Sequence, residues 1–338
     1  MIIIEIQHFN KGYQTLSSKL VDAKNLKKSF GEFVAVDNIN LSVQRGEVVG
    51  FLGPNGAGKS TTMKMLTGFL EPDSGDILIN DIDLKSEPLK AKEFIGYLPE
   101  GAPSYSDMDV SEFLSFVGKM RGIDNNKLLN TRLDEMANQI NLKEVWDRPI
   151  ETLSKGFKRR VGIAQALIHD PDILILDEPT DGLDPNQKHE MRKLIKAISN
   201  NKAIVISTHI LEEVEAVCSR AIIIANGKLL ANETPENLGN NLIQENILSV
   251  TTSNKINNAM LKDIKSTLNN ENVKVEPLDK TSSKILINQE NKIININKII
   301  TQLNKHKITV TEANVLKPNL DEIFRKITQN NKVTDKWI

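Results

Sequence analysis

The spacing of apolar and polar residues changes character along the chain, and each regime predicts a different kind of element. Leu20-Val21-Asp22-Ala23 and Val34-Ala35-Val36 predict strands joined by a turn at Gly31. Ile39-Asn40-Leu41-Ser42-Val43 alternates with period two, as a half-exposed antiparallel strand does. Glu47-Val48-Val49-Gly50-Phe51-Leu52 is a short apolar run and predicts a buried strand, while Thr61 to Leu66 opens a helix. Pro72 to Gly75 predicts a turn, and Asp76-Ile77-Leu78-Ile79 the strand after it. From about Lys85 to Thr152 the spacing becomes helical. Val110, Phe113, Leu114 and Val117 sit at i, i+3, i+4 and i+7, and Leu128, Leu133, Met136 and Ile140 continue the rhythm less regularly. This stretch predicts an inserted helical subdomain at about 85–152.

Apolar runs then return at Asp172 to Leu176, Ala203 to Ser207 and Ala221 to Ala225, separated by helical stretches. That alternation predicts parallel strands with helical crossovers. Thr234-Pro235-Glu236 closes this domain, which spans about 20–238. Residues 1–19 carry no strong pattern and are expected to be an N-terminal extension. After Asn240 the composition shifts to Asn, Lys and Ile, yet strand and helix periods persist. Ile247–Thr251, Val273–Val275, Lys284–Ile287 and Ile308–Thr311 predict strands; Ala259–Leu268 and Ile296–Leu303 predict helices. The order βαββαβ predicts a small ferredoxin-like module within a C-terminal domain at 244–338, which also holds a last helix, Leu320–Ile327, capped by Asn319.

The bulk numbers narrow the function. With 43 basic and 44 acidic residues among 338, the net charge of −1 argues against nucleic acid as the main partner. The single cysteine, Cys218, excludes an internal disulfide and suits a reducing compartment, where it serves as a small buried hydrophobe. No segment approaches the ~20 apolar residues needed to span a bilayer. The expectation is a soluble, intracellular chain whose membrane business, if any, runs through a partner. The five histidines show no zinc spacing, and His209 with Glu212 and Glu213 reads as a helical coincidence.

Chemistry enters at Gly53-Pro54-Asn55-Gly56-Ala57-Gly58-Lys59-Ser60, which fits the phosphate-binding pattern G-x-x-x-x-G-K-[ST]. The plainer reading is a glycine-rich turn with an exposed lysine. The flanking strand and helix favour the phosphate loop, because glycines let backbone N–H groups turn inward and the helix directs its positive end at the phosphates. Lys59 then reaches the β- and γ-phosphates and the Ser60 hydroxyl ligates Mg²⁺. The run Ile173–Leu176 ends in Asp177-Glu178. At that strand end Asp177 can hold Mg²⁺, directly or through water, and Glu178 can polarise the attacking water. Ser154 and Gly156, at the start of a helix, form a second anion-binding device, weak by itself because N-capping serines are common. His209 ends the strand expected beside the Asp177 strand, within reach of a γ-phosphate.

Together these residues make the chain resemble the ATP-binding subunit of an ABC transporter over about Leu20 to Leu238. The resemblance implies an α/β P-loop NTPase core with a parallel sheet, an antiparallel β edge and an inserted helical subdomain. It implies ATP and Mg²⁺ as ligands and ATP hydrolysis as the activity. Gly53 to Thr61 matches the Walker A motif, Leu153 to Phe157 the signature, and Leu176-Asp177-Glu178 the end of the Walker B strand. Asp184 matches the D-loop aspartate, His209 the switch histidine, and Phe30 the aromatic that stacks on adenine. Two positions depart from the family pattern. Lys155-Gly156-Phe157 replaces the usual Gly-Gly-Gln, and Lys155 either lies near the partner's γ-phosphate or points to solvent. Glu100 replaces the usual glutamine of the loop into the helical subdomain; a carboxylate there can still coordinate Mg²⁺ or a water.

With Gly96-Tyr97-Leu98-Pro99-Glu100 and Leu153-Ser154-Lys155-Gly156 the chain resembles export-type ATPases of the ABC-2 class, including gliding-motility-associated and multidrug or ion-efflux subunits. The resemblance implies a homodimer of ATP-binding subunits in which Ser154 and Gly156 close over the other subunit's nucleotide. It also implies an integral membrane permease as partner and a cytoplasmic location on the inner face of the cell membrane. The alternative, an ABC ATPase acting on ribosomes or DNA, is disfavoured by the single phosphate loop, the lack of long heptad insertions and the neutral charge. The C-terminal domain offers no chemical constellation and is either a dimerisation platform or a regulatory ligand-binding domain.

Overall fold

The computed structural model describes residues 19–101, 104–242, 245–253, 255–268, 273–278, 282–290, 296–305 and 308–316. They form two compact units, the first ending at Asn232 and the second beginning at Glu233, earlier than the expected boundary at Leu238. Of the expected extension only Lys19 is described, and it opens a strand. The expected helix Leu320–Ile327 lies outside the described residues.

The first unit begins with the long antiparallel strands β1 (Lys19–Phe30) and β2 (Phe33–Gln44), joined at Gly31-Glu32. The segment Ile39–Val43 is therefore the second half of β2 and not a separate strand. Asn25 and Asn38 take left-handed backbone angles beside register shifts in this pair, so the apolar alternation is interrupted where the strands bulge. Next come β3 (Val48–Leu52), α1 (Lys59–Leu66), β4 (Ser74–Ile79), β5 (Ile82–Asp83), α2 (Pro88–Glu93) and β6 (Ile95–Leu98). Helices α3 (Val110–Met120), α4 (Asn126–Gln139) and α5 (Lys155–Leu167) follow. The chain then runs through β7 (Ile173–Asp177), α6 (Pro185–Ile198), β8 (Ala203–Thr208), α7 (Leu211–Val217), β9 (Arg220–Ala225) and β10 (Lys228–Glu233).

Strand β6 corrects the expected helical region, because Ile95–Leu98 pairs in parallel with β7 at the edge of the central sheet. Four residues are too few to reveal a period against the helices around them. The central sheet has the order β10-β9-β3-β8-β7-β6, and β9, β3, β8, β7 and β6 pair in parallel. A second, antiparallel sheet has the order β2-β1-β4-β5. Successive strand residues point to opposite faces, and here both faces are buried. Val49, Phe51, Ile173, Ile175, Val205, Ile222 and Ile224 pack with Leu26, Ile39, Met63 and Ile79 in one core. Val48, Leu174, Leu176, Ile204 and Ile206 pack with Phe113, Leu114, Val161 and Ile163 in the other. Double-sided burial is why these strands read as unbroken apolar runs.

The second unit contains α8 (Pro235–Leu242), β11 (Glu245–Thr252), α9 (Asn258–Leu268), β12 (Val273–Pro277), β13 (Ser283–Glu290), α10 (Ile296–Lys305) and β14 (Val310–Leu316). Its sheet is antiparallel with order β12-β13-β11-β14, the strand order of a ferredoxin-like βαββαβ fold. Leu248, Val250, Ile264, Ile285, Ile287, Ile299 and Leu303 form its core. Among the described residues no helix is long and apolar enough to cross a membrane.

Candidate functional site

The phosphate loop connects β3 to α1, and its glycines are dictated by local geometry. Gly58 takes φ 101° at the N-cap of α1, and a Cβ there would lie 2.3 Å from the Ala35 carbonyl oxygen. A Cβ on Gly53 would lie 2.5 Å from the Ile224 carbonyl oxygen. The Lys59 ammonium is buried inside the loop and donates to the carbonyl oxygens of Gly53 at 2.9 Å and Pro54 at 3.2 Å. Lys59 Nζ also lies 3.5 Å from Glu178 Oε1.

Strands β7 and β8 are neighbours, and their carboxyl ends deliver the remaining groups beside the loop. The Ser60 hydroxyl lies 3.3 Å from Asp177 Oδ1. Glu178 carries φ 51°, an uncommon conformation for a residue with a side chain, and such strain is found most often at functional sites. Its other carboxylate oxygen, Oε2, lies 2.8 Å from His209 Nδ1. Glu178 is thereby held between Lys59 and His209. A cleft of about 400 Å³ is lined by Phe30, Asn55, Gly56, Gly58, Lys59, Ser60, Thr61, Glu100, Glu178 and His209, together with Phe33, Ala35 and Asp181.

Ser154, Gly156 and Asp184 are not in that cleft. Ser154 caps α5 by accepting from the Phe157 amide at 3.4 Å, and Asp184 caps α6 by accepting from the Gln187 amide at 2.9 Å. The two helix starts touch, since a Cβ on Gly156 would lie 2.7 Å from Gln187 Oε1. The ammonium of Lys155 lies 3.8 Å from Asp181 Oδ2 and covers Gly182, within its own chain. The candidate residues thus fall into two clusters, one around the phosphate loop and one at the starts of α5 and α6.

Several contributors escaped the sequence reading. Ser207 donates to Asp177 Oδ1 and accepts from the Glu178 amide at 3.0 Å, so one hydroxyl orients both carboxylate residues. Its place just before Thr208-His209 was the available signal. Glu213 is buried and accepts from the hydroxyls of Thr180 and Thr208, tying together the segments after β7 and β8. His209 faces Glu178 instead. Phe33, 61% exposed, stands with Phe30, 52% exposed, at the rim of the cleft. Burial, then the charges of Asp177 and Glu100, push the Tyr97 phenol well above its ordinary range. Cys218 is packed against Gly50, and burial holds its thiol up at about 12.

The arrangement suits a bound triphosphate. Ser60 Oγ and Asp177 Oδ1 are converging hard oxygen donors, which fits an Mg²⁺ that completes its shell with water and phosphate. Glu178, oriented from two sides, directs a carboxylate into the same cleft. Fold and site together define a P-loop NTPase with its ligand groups at the carboxyl ends of parallel strands.

Comparison with known proteins narrows this class. Residues 36–181 match the ABC transporter family model. The linearmycin resistance ATP-binding protein LnrL of Bacillus subtilis (strain 168) is 36% identical over 310 residues, covering 91% of this chain and 98% of that protein. The "Probable multidrug ABC transporter ATP-binding protein YbhF" of Escherichia coli (strain K12) is 38% identical over 225 residues, covering 66% of this chain and 39% of that protein. Among solved structures, the dimeric post-hydrolysis state of the ATP-binding cassette MJ0796 bound to ADP and Pi superposes with a TM-score of 0.59 at 26% identity, covering 64% of this chain and 98% of that one. The chain belongs to the ABC transporter family as one of its ATP-binding subunits, and it is an ATPase.

Proposed function

We propose that this ATPase powers a membrane exporter through ATP-driven closure of a homodimer. The observation that carries the reading is the separation of the two clusters. Lys59, Ser60, Asp177, Glu178 and His209 converge on one cleft, while Ser154, Gly156 and Asp184 lie at helix starts outside it. Two chains arranged head to tail would bring the second cluster of one over the cleft of the other. The relatives named for resistance and multidrug transport support export as the direction.

In this reading the backbone of Gly53 to Thr61 cradles the phosphates, Lys59 meets the β- and γ-phosphates, and Phe30 stacks on adenine. Ser60 and Asp177, with Glu100 at the edge of the cleft, hold Mg²⁺, which when bound neutralises phosphate charge. Glu178 takes the proton of the attacking water, and His209 orients Glu178 and senses the γ-phosphate. Ser154 and Gly156 contact the γ-phosphate held by the other subunit. The helical subdomain and the Glu100 segment pass the closing motion to an integral membrane permease, which keeps the protein on the cytoplasmic face of the membrane.

Glu178→Gln tests this directly. The variant is expected to bind ATP, to elute as a dimer with ATP and as a monomer without it, and to lose turnover by about 10²-fold or more. A variant that stays monomeric and hydrolyses ATP normally sinks both the dimer and the role of Glu178. Co-purification of the native protein with an integral membrane protein tests the permease; recovery with ribosomes opposes it.

A further inference from the structure

Glu100, Glu178 and Asp181 line the nucleotide cleft, Asp177 lies behind Ser60, and all but Glu100 have partners. Asp177 accepts from Ser60 and Ser207, Glu178 lies between Lys59 and His209, and Asp181 lies 3.8 Å from Lys155. Glu100 makes no hydrogen bond or ion pair among the described residues, although it lines the same cleft. A carboxylate in this place repels a triphosphate unless cations face it.

A buried cation stands on the helix packed against β6. Arg159 on α5 is 4% exposed, and its Nη1 is buried without a hydrogen-bond partner among the described residues. A buried guanidinium is costly unless an anion faces it. Helix α5 leads into β7, which is parallel to β6, so α5 runs antiparallel to β6. The two are in backbone contact, since a Cβ on Gly96 would lie 2.1 Å from the Ala166 carbonyl oxygen. From Ala166 back to Arg159 the helix rises about 10 Å, and from Gly96 the strand runs about 7 Å in the same direction to its end at Leu98, two residues before Glu100. Both therefore arrive at the cleft end of the sheet. Burial lowers the affinity of Arg159 for its proton, opposed by Asp181, Glu100, Asp177 and Glu178 in that order.

We propose that Arg159 is a positioning residue that supplies the counter-charge for Glu100, allowing a carboxylate to stand beside the bound triphosphate. The inference rests on the reading of the Gly53–Thr61 cleft as the ATP site. Asp181, already engaged by Lys155, is the competing partner.

The test is a double-mutant cycle on the full chain, read as KM for ATP and kcat. Arg159→Gln is expected to raise KM about tenfold with little change in kcat, and Arg159→Lys to recover most of the loss. In the Glu100→Gln background the same Arg159→Gln change is expected to shift KM less than about twofold. Equal shifts in both backgrounds overturn the proposal, as does loss of the shift in Asp181→Asn instead of Glu100→Gln. If Arg159→Gln does not fold, the cycle is run with Arg159→Lys, whose smaller KM shift must again vanish with Glu100→Gln. Lys59→Ala separates the two levels of argument. If it binds a fluorescent ATP analogue as tightly as the native protein, the ATP-site reading fails. If it does not bind and the Arg159 shift persists in Glu100→Gln, only the role of Arg159 fails.

Discussion

At the residue scale the site depends on side chains that satisfy one another in pairs. Ser207 orients Asp177 and Glu178, His209 braces Glu178, and Lys59 is held by carbonyl oxygens of its own loop. None of these contacts requires a rare residue. What matters is that β7 and β8 are adjacent and end at the same level. His169 gives a different kind of residue-scale prediction. Its Nε2 lies 3.1 Å from the Ile95 carbonyl oxygen and its Nδ1 is buried without a partner, so the neutral ring is the form that fits. Burial and then the charge of Arg121 hold its pKa down at about 4. The unfolded chain takes up this proton near pH 6.5, whereas the folded chain resists until about pH 4. The contribution is therefore complete above pH 6.5 and is lost as pH falls to 4, by about 3 kcal/mol at most. Urea midpoints measured across this range should fall more steeply for the native protein than for His169→Gln, whose amide can still donate to Ile95. Parallel slopes would remove His169 from the account.

At the scale of elements, β6 and α5 bring the Glu100 segment to the cleft. Their contact depends on Gly96, because any Cβ would push the Ala166 carbonyl and hence α5 away from the sheet. Gly96→Ala should destabilise the protein by about 1–3 kcal/mol, as overpacking of a tight contact does. It should also reduce ATP turnover, because Ser154 and Arg159 lie on the helix that moves. A variant with native melting temperature and turnover would show that the helix can give way freely. Helix α5 also illustrates why secondary structure alone could not assign the site. Ser154 caps its first turn, Arg159 is buried farther along, and the Ala166 carbonyl near its end meets Gly96.

At the scale of the whole molecule, the two compact units have separate cores, and the candidate chemistry lies entirely in the first. The ferredoxin-like unit is expected to support subunit association. Ending the chain at Asn232 should weaken dimer formation measured by sedimentation, while the turnover of assembled dimers stays within about twofold. Unchanged association with altered turnover would favour a regulatory, ligand-binding role.

The phosphate loop was legible in the sequence because its chemistry is local: the glycines, lysine and hydroxyl that surround a phosphate are consecutive residues. The parallel strands were legible because burial on both faces leaves unbroken apolar runs, and the ferredoxin-like domain because its strands and helices keep their periods. Strand β6 was hidden by its four-residue length, and β2 was divided by the bulge at Asn38. The role of Lys155 was also open, since a charge in a sequence does not reveal its neighbour; the fold brings it to Asp181. Ser207, Glu213 and Arg159 became functional candidates only through tertiary structure. Their partners lie on other strands and loops, and hydrogen bonds and buried charges are set by distance in space. Sequence alone thus determined what the chain can bind, while packing decided which carboxylates gather around it and which cation can answer them.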